Sequence, residues 1–317
     1  MEKVSIIIPC KKIDEFTERC IKECLKLEYD NYEIIVLPDD KESKKYNWRV
    51  KIIPTGKQKP AYKRNKGMEV GKGYFFAFID SDAYPKKDWL KNSIKYFENK
   101  KIGIVGGPNL TPPEANFAEK ISGHVLSNFL VSGDASIRYK ISRNQFTREL
   151  PSCNYIVRKE TAPKFDDKYL TAEDSKFCFD VQAKELKVFY AKDVIVFHHR
   201  RDSLKKHLKQ MFIYGRDIAW LSKSEFSLRK LYYGLLSLGI LGFFGMLILS
   251  PFSKIIATIL ISLMVIYLGF MGISSLKKNF GFSLWIFLIS IGTHLEYGIG
   301  WLYGMLVKQE IKQFSER

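Results

Sequence analysis

The chain has 317 residues and a formal net charge of +17, a length that fits one sizeable domain with an appendage. From Leu231 onward there are six Lys/Arg and three acids, so all but three of those charges fall in the first 230 residues, a balance suited to an anionic partner such as a nucleotide diphosphate or anionic lipid. The five cysteines (Cys10, Cys20, Cys24, Cys153, Cys178) form no Cys-x-x-Cys pair, which speaks against a zinc module or a disulfide framework, and no nucleic-acid-binding module accompanies the basic excess.

In chain order, "VSIII" (4–8) reads as a buried strand, and Phe16, Cys20, Ile21, Cys24 and Leu25 repeat at helical spacing across Asp14 to Lys26. The run "MEKVSIIIP" is too short, and too soon broken by proline, for a secretory signal. The N-terminal domain is therefore expected to stay cytoplasmic. Strands at 32–37, 49–54, 74–79 and 102–107 alternate with helices at 61–70 and around 89–97. That alternation predicts an α/β fold with a mostly parallel sheet covered on both faces. Residues 107–150 are less regular. Order returns with a strand at 153–158, a helix from about Glu173 to Lys184, and strands near 187–190 and 194–198.

Beyond 201 the character changes. Leu204, Leu208, Met211, Phe212 and Ala219 form a helical stripe among Lys205, Lys206, Lys209 and Arg216. This pattern fits a basic amphipathic helix lying on anionic lipid, and it also fits a surface helix packed on the domain. Three apolar segments follow, Leu231–Leu249, Ile255–Ile273 and Phe280–Val307, each near or above the ~20 residues that cross a bilayer. The expected organisation is thus an N-terminal α/β domain at 1–201, an interfacial helix and linker at 202–230, a membrane domain at 231–307 and a polar tail at 308–317. Lys223, Arg229 and Lys230 precede the first span, and Lys277 and Lys278 separate the second from the third. The positive-inside rule puts both groups in the cytoplasm. Three crossings would then send the chain's end outside, against the charges of Lys308, Lys312 and Arg317.

The chemistry-bearing residues cluster by strand ends. In "FIDSDAYP", Asp80 and Asp82 lie one residue apart where "YFFAFI" runs out. Two such carboxylates can hold a divalent cation and, through it, a diphosphate; on their own they also fit solvated turn acids. Glu173 and Asp174 open a helix, where acids favour the unpaired N–H groups. His198 and His199 end the strand "VIVF", and a neutral imidazole there can add a metal ligand.

Taken together, strand–"IIIPCK", strand–"VLPDD", "KRNKG", "FIDSDAYP...WL", "PSCNY" and "TAED" resemble glycosyltransferase family 2, whose catalytic domain has the GT-A fold. The likeness spans about residues 3–220, and the tail resembles that of membrane-anchored members that build exopolysaccharide or lipid-linked glycans. It implies a nucleotide-sugar donor, UDP-sugar before GDP-sugar, with Mg²⁺ or Mn²⁺, and a lipid-linked or glycan acceptor at the membrane. By the same resemblance Pro9, Asp39 or Asp40, and Arg64 lie around the nucleotide, with Asp80 and Ser81 on the ribose and metal side. Asp82 binds metal, joined by Asp80 and His198, and Asp174 of the Glu173–Asp174 pair is the general base of an inverting transfer. Asn154 falls on the acceptor side. Gln210 and Arg216 approximate the Gln-x-x-Arg-Trp motif of processive synthases, with five residues between them and Trp220 displaced. A polyprenyl-phosphate monosaccharide transferase and a non-catalytic scaffold that keeps the fold are the alternatives.

Overall fold

The computed structural model describes residues 1–169, 171–224, 232–277 and 279–309. Arg229, Lys230, Leu231, Lys278, Lys312 and Arg317, used above for topology, lie outside the described residues, as does most of the polar tail. Two compact units form: Met1–Glu114 with Ile137–His199, and Ala115–Ser136 with the helices after Arg200. Residues 115–136 thus cluster with the C-terminal helices, although the sequence reading had kept them with the first 201 residues.

The first unit begins with β1 (Val4–Pro9), α1 (Glu15–Cys24), β2 (Tyr32–Leu37), β3 (Val50–Ile52), α2 (Pro60–Val70), β4 (Phe75–Phe78), β5 (Ala83–Pro85), α3 (Trp89–Ile94), β6 (Ile102–Gly106) and β7 (Asn109–Leu110). The chain then lends α4 (Phe117–Ser127) and α5 (Phe129–Ser132) to the second unit. It returns with β8 (Gln145–Thr147), β9 (Tyr155–Arg158), α6 (Glu173–Gln182), β10 (Lys187–Tyr190) and β11 (Val196–His198). The main sheet has the order β3-β2-β1-β4-β9-β6-β10-β8. It is mixed: β9 runs antiparallel to both β4 and β6, and β8 antiparallel to β10, while the remaining neighbours pair in parallel.

Continuous apolar runs in β1 and β2 reflect burial on both faces. Ile6, Ile8, Ile34 and Val36 pack into one core, and Ile7, Ile35 and Leu37 into the other. Gly67 of "KRNKG" lies against Ile7, where a Cβ would collide with its side chain. The absent side chain lets α2 sit close to β1, which brings Lys63 and Arg64 to the strand ends. A second, small sheet, β5-β11-β7, stands apart from the main one. Its two- and three-residue strands are too short to show periodicity in the sequence.

The second unit adds α7 (Leu204–Ser224), α8 (Leu235–Leu249), α9 (Lys254–Ser275) and α10 (Phe280–Leu306). Three helical segments, Tyr232–Phe252, Lys254–Ser275 and Phe280–Leu306, are long and apolar enough to cross a membrane. In the most apolar stretch of each of the first two, 11% of residues are buried, against 39% in the third. α10 is more covered because α4 and α7 pack on it: Ile121 and Val125 meet Ile286 and Ile289. Along α7, Met211, Gly215 and Ala219 are buried. Cβ atoms at Gly215, Gly300 and Gly304 would collide with the facing backbone, so these glycines permit a close helix approach. The apolar stripe of α7 is therefore spent on α10, with Lys205, Lys206 and Lys209 left exposed. Lys223 Nζ donates to the carbonyls of Gly304, Met305 and Val307 at 3.2, 3.1 and 3.3 Å, capping α10. That contact puts Lys223 and the end of α10 side by side, whereas three crossings counted from the charges put them on opposite faces.

Candidate active site

β4 delivers Asp80. Its ladder continues one residue past the strand, Ile79 N–H donating to Ile7 O at 3.3 Å, and the chain then turns so that Ala83 N–H reaches Asp80 O at 3.1 Å. Ser81 occupies this turn between the two acids. The turn leads into β5, which pairs antiparallel with β11 so that His198 stands opposite Ala83. His199 N–H donates to Asp82 O at 3.0 Å, and His198 Nε2 lies 3.1 Å from Asp82 Oδ1. In this way the small sheet brings together residues 116 positions apart. One ligand atom from each of Asp80, Asp82 and His198 falls within 4.8 Å of the others. Two carboxylates and an imidazole at partly exposed positions are a donor set suited to a divalent cation. Of the two histidines, His198 turns to the acids, while the His199 ring packs edge-on to Phe16 at 4.7 Å.

On the other side of Asp80 lies Arg64, 3% exposed. Its NH2 reaches Asp80 Oδ1 at 2.8 Å and its NH1 reaches Glu173 Oε1 at 3.0 Å. α6 starts without a side-chain cap at Ala172. Asp174 Oδ2 instead accepts the Ser152 N–H at 3.0 Å. Asp174 Oδ1 and Glu173 Oε2 are buried and have no hydrogen-bond partner among the described residues. Such orphaned acceptors are costly and mark a site whose remaining partner is a ligand or water.

Burial, and then the charge of Asp174, push Glu173 up to about 8, with Arg64 pulling the other way. Asp174 is raised by burial as well, against the opposing pull of Arg64 and the Ser152 N–H. Arg64 is itself held charged: burial disfavours the guanidinium, and Asp80, Asp174 and Glu173 outweigh it. For His198, burial again disfavours charge, and neighbouring Cys153 and Asp82 raise its pKa well above the usual value.

The remaining expected residues have the following surroundings. Pro9 ends β1 and is buried. Asp39 pairs with the buried Lys63, whose Nζ also donates to Cys10 O at 2.6 Å, and Asp40 is exposed. Lys63 was not singled out by the sequence, yet it fixes which acid of "PDD" turns inward; its position one residue before Arg64 on α2 was the available signal. Arg64 spends its two terminal nitrogens on Asp80 and Glu173. Asn154 is fully buried. Its Oδ1 accepts Trp89 Nε1–H at 2.8 Å, and its Nδ2 donates to Pro108 O at 3.0 Å and Val194 O at 2.9 Å. The amide expected on the acceptor side is instead an internal clip. Gln210 and Arg216 belong to the second unit. There Gln210 Nε2 donates to Tyr214 Oη at 2.7 Å and Arg216 holds the buried Asp217 at 2.8 Å.

Comparison with known proteins bears on the family and the fold. Residues 5–160 match the family model described as Glycosyl transferase family 2. A dolichyl N-acetyl-alpha-D-glucosaminyl phosphate 3-beta-D-2,3-diacetamido-2,3-dideoxy-beta-D-glucuronosyltransferase of Methanococcus voltae is 28% identical over 269 residues, 78% of this chain and 81% of that one. The UDP-Glc:alpha-D-GlcNAc-diphosphoundecaprenol beta-1,3-glucosyltransferase WfaP of Escherichia coli is 28% identical over 137 residues, 37% of this chain and 55% of the relative. Among solved structures, the mannosyltransferase PcManGT from Pyrobaculum calidifontis, in complex with GDP-Man and Mn²⁺, shares the fold with a TM-score of 0.67. That match covers 98% of this chain and 88% of the other at 11% identity.

Proposed function

Since the chain belongs to glycosyl transferase family 2 and has the GT-A fold, we propose that it is a membrane-bound, inverting, divalent-metal-dependent transferase. It moves a sugar from a nucleotide-sugar to a lipid-linked or polysaccharide acceptor at the cytoplasmic face. The observation that carries this reading is the placement of Asp80 between two groups: the Asp82–His198 cluster and, through Arg64, the Glu173–Asp174 pair. The lipid-linked acceptor rests on the printed activities of the Methanococcus voltae and WfaP relatives, and the membrane on the three apolar helices.

In the proposed mechanism Asp80, Asp82 and His198 would hold Mg²⁺ or Mn²⁺. Such an ion supplies charge stabilisation for a leaving diphosphate. Asp174 takes the proton of the acceptor hydroxyl as that oxygen attacks the anomeric carbon and the bond to the nucleoside diphosphate breaks. The Ser152 N–H fixes one Asp174 oxygen, and the other carries no protein partner among the described residues. A free, buried acceptor oxygen favours a hydroxyl acceptor over a lipid phosphate, which arrives already ionised and needs no base.

The test is transfer by the purified full chain from UDP-, GDP- and dTDP-sugars, with Mg²⁺ or Mn²⁺, to a lipid-diphosphate-linked sugar or to polyprenyl phosphate. Product NMR reads the anomeric outcome. Retention would overturn the single-displacement mechanism, transfer to polyprenyl phosphate alone would overturn the hydroxyl acceptor, and absence of binding to any donor would overturn the enzyme reading.

A further inference from the structure

The Arg64 side chain is 4% exposed, and both terminal nitrogens are committed to carboxylates from different elements. Asp80 follows β4 and belongs to the candidate cation cluster, while Glu173 opens α6 beside Asp174. The ring of Phe165 lies 5.3 Å from the guanidinium carbon. Nε is buried and has no partner among the described residues. One buried cation is therefore held between two carboxylates, Asp80 and Glu173. In such surroundings a charge-assisted fork is strong, and its planar geometry fixes both partners at once.

We propose that Arg64 is a positioning residue that ties the Asp80 end of the site to the Glu173–Asp174 end, so that a divalent cation on Asp80 and the charge on Glu173 are energetically coupled. The roles of the two ends rest on the transferase reading, but the coupling itself is measurable without turnover. Arg64 and a divalent cation compete for Asp80. Neutralising Glu173 leaves Arg64 leaning on Asp80 and so disfavours the cation; removing Arg64 takes away the competing charge. Coupling between two sites is reciprocal, and modest coupling corresponds to about five-fold in affinity.

The experiment is Mn²⁺ titration of the full-length protein in detergent, without donor or acceptor, at a pH above about 8, where Glu173 carries its charge. Glu173→Gln is expected to weaken Mn²⁺ about five-fold and Arg64→Gln to tighten it by about as much. In the double variant the Glu173→Gln effect disappears. A purely structural role would move both single variants the same way, and that result overturns the proposal. So does an equal Glu173→Gln loss with and without Arg64, which is a through-space charge effect. Should Arg64→Gln fail to fold, Arg64→Lys carries the test, because a single ammonium lacks the fork; the Glu173→Gln effect must shrink in that background. A wild-type protein that binds Mn²⁺ and transfers sugar but shows no coupling overturns only the role of Arg64. One that binds no Mn²⁺ overturns the metal-dependent reading along with it.

Discussion

Asp174 accepts the Ser152 N–H across 3.0 Å with Oδ2 and keeps Oδ1 buried without a partner among the described residues. The carboxylate is thereby oriented by the loop ahead of β9 and has one lone-pair face to spend. Asp174→Asn preserves shape and removes basicity. It should lower kcat by about 10²–10⁴-fold while donor affinity, read by calorimetry, stays at the wild-type value. Unchanged turnover would remove Asp174 from the role of base.

Glu173 gives a stability signature of unusual sign. Its pKa is raised from 4.5 to about 8 in the folded protein, so the native state binds more protons than the unfolded chain across that interval. Stability contributed by this group is present below 4.5 and is lost as pH rises toward 8. Glu173→Gln, neutral at all pH values, should flatten the fall in melting temperature over this range and be the more stable protein at its alkaline end. Parallel melting curves for the two proteins would show that Glu173 is not held protonated.

Asp82 and His198 meet through the β5–β11 register. Asp82→Ala should abolish Mn²⁺-dependent donor binding, and His198→Ala should weaken Mn²⁺ by no less than the roughly 10–100-fold that losing a group which only orients a ligand costs. His199→Ala, whose ring packs on Phe16, should leave Mn²⁺ affinity close to wild type. Equal losses for the two histidines would break the assignment.

Trp89 and Asn154 test the internal clip. Trp89→Phe keeps an aromatic ring but strands the buried Asn154 Oδ1. An unsatisfied buried acceptor costs about 1–3 kcal/mol, seen as a lower melting temperature with donor affinity retained. A selective loss of acceptor KM without loss of stability would return Asn154 to the acceptor side.

Lys223 and the end of α10 lie together. Single cysteines placed at Ser224 and at Leu306, which is 86% exposed, should therefore react with a membrane-impermeant maleimide from the same face of sealed vesicles. Labelling from opposite faces would contradict the capping of α10 by Lys223.

The elements legible in the sequence were those with long, regular signals. The apolar runs of β1, β2, β4 and β6 and the periodic helix α1 stand close to where their patterns put them, and α2 falls at its expected place without such a period. The Asp80–Asp82 step and the Glu173–Asp174 pair were legible for the same reason, each sitting where a clear element starts or stops. What the sequence hid was pairing at a distance. β5 and β7 are too short to leave a period, yet β5 and β11 set His198 beside Asp82. Arg64 and Asn154 were recognisable as polar residues in motifs. Their partners, 16 to 109 residues away for Arg64 and 40 to 65 for Asn154, decide whether the side chain is free, and no local pattern records them. The reversed directions of β8 and β9 were hidden too, because strand hydropathy carries no sign.

The glycine-lined seam between α7 and α10 has a consequence for biosynthesis. Gly304, which seats against Arg216, is made 88 residues after it, a lag of roughly 4–18 s at ordinary elongation rates. During that interval α7 leaves the ribosome with its stripe uncovered and with His207 and Asp217 still awaiting the enclosure they have in the finished protein. The nascent chain thus passes through a stage in which α7 exists before the helix that covers it. Mutations that merely slow the arrival of α10 would be expected to appear as losses of yield, not of catalytic rate.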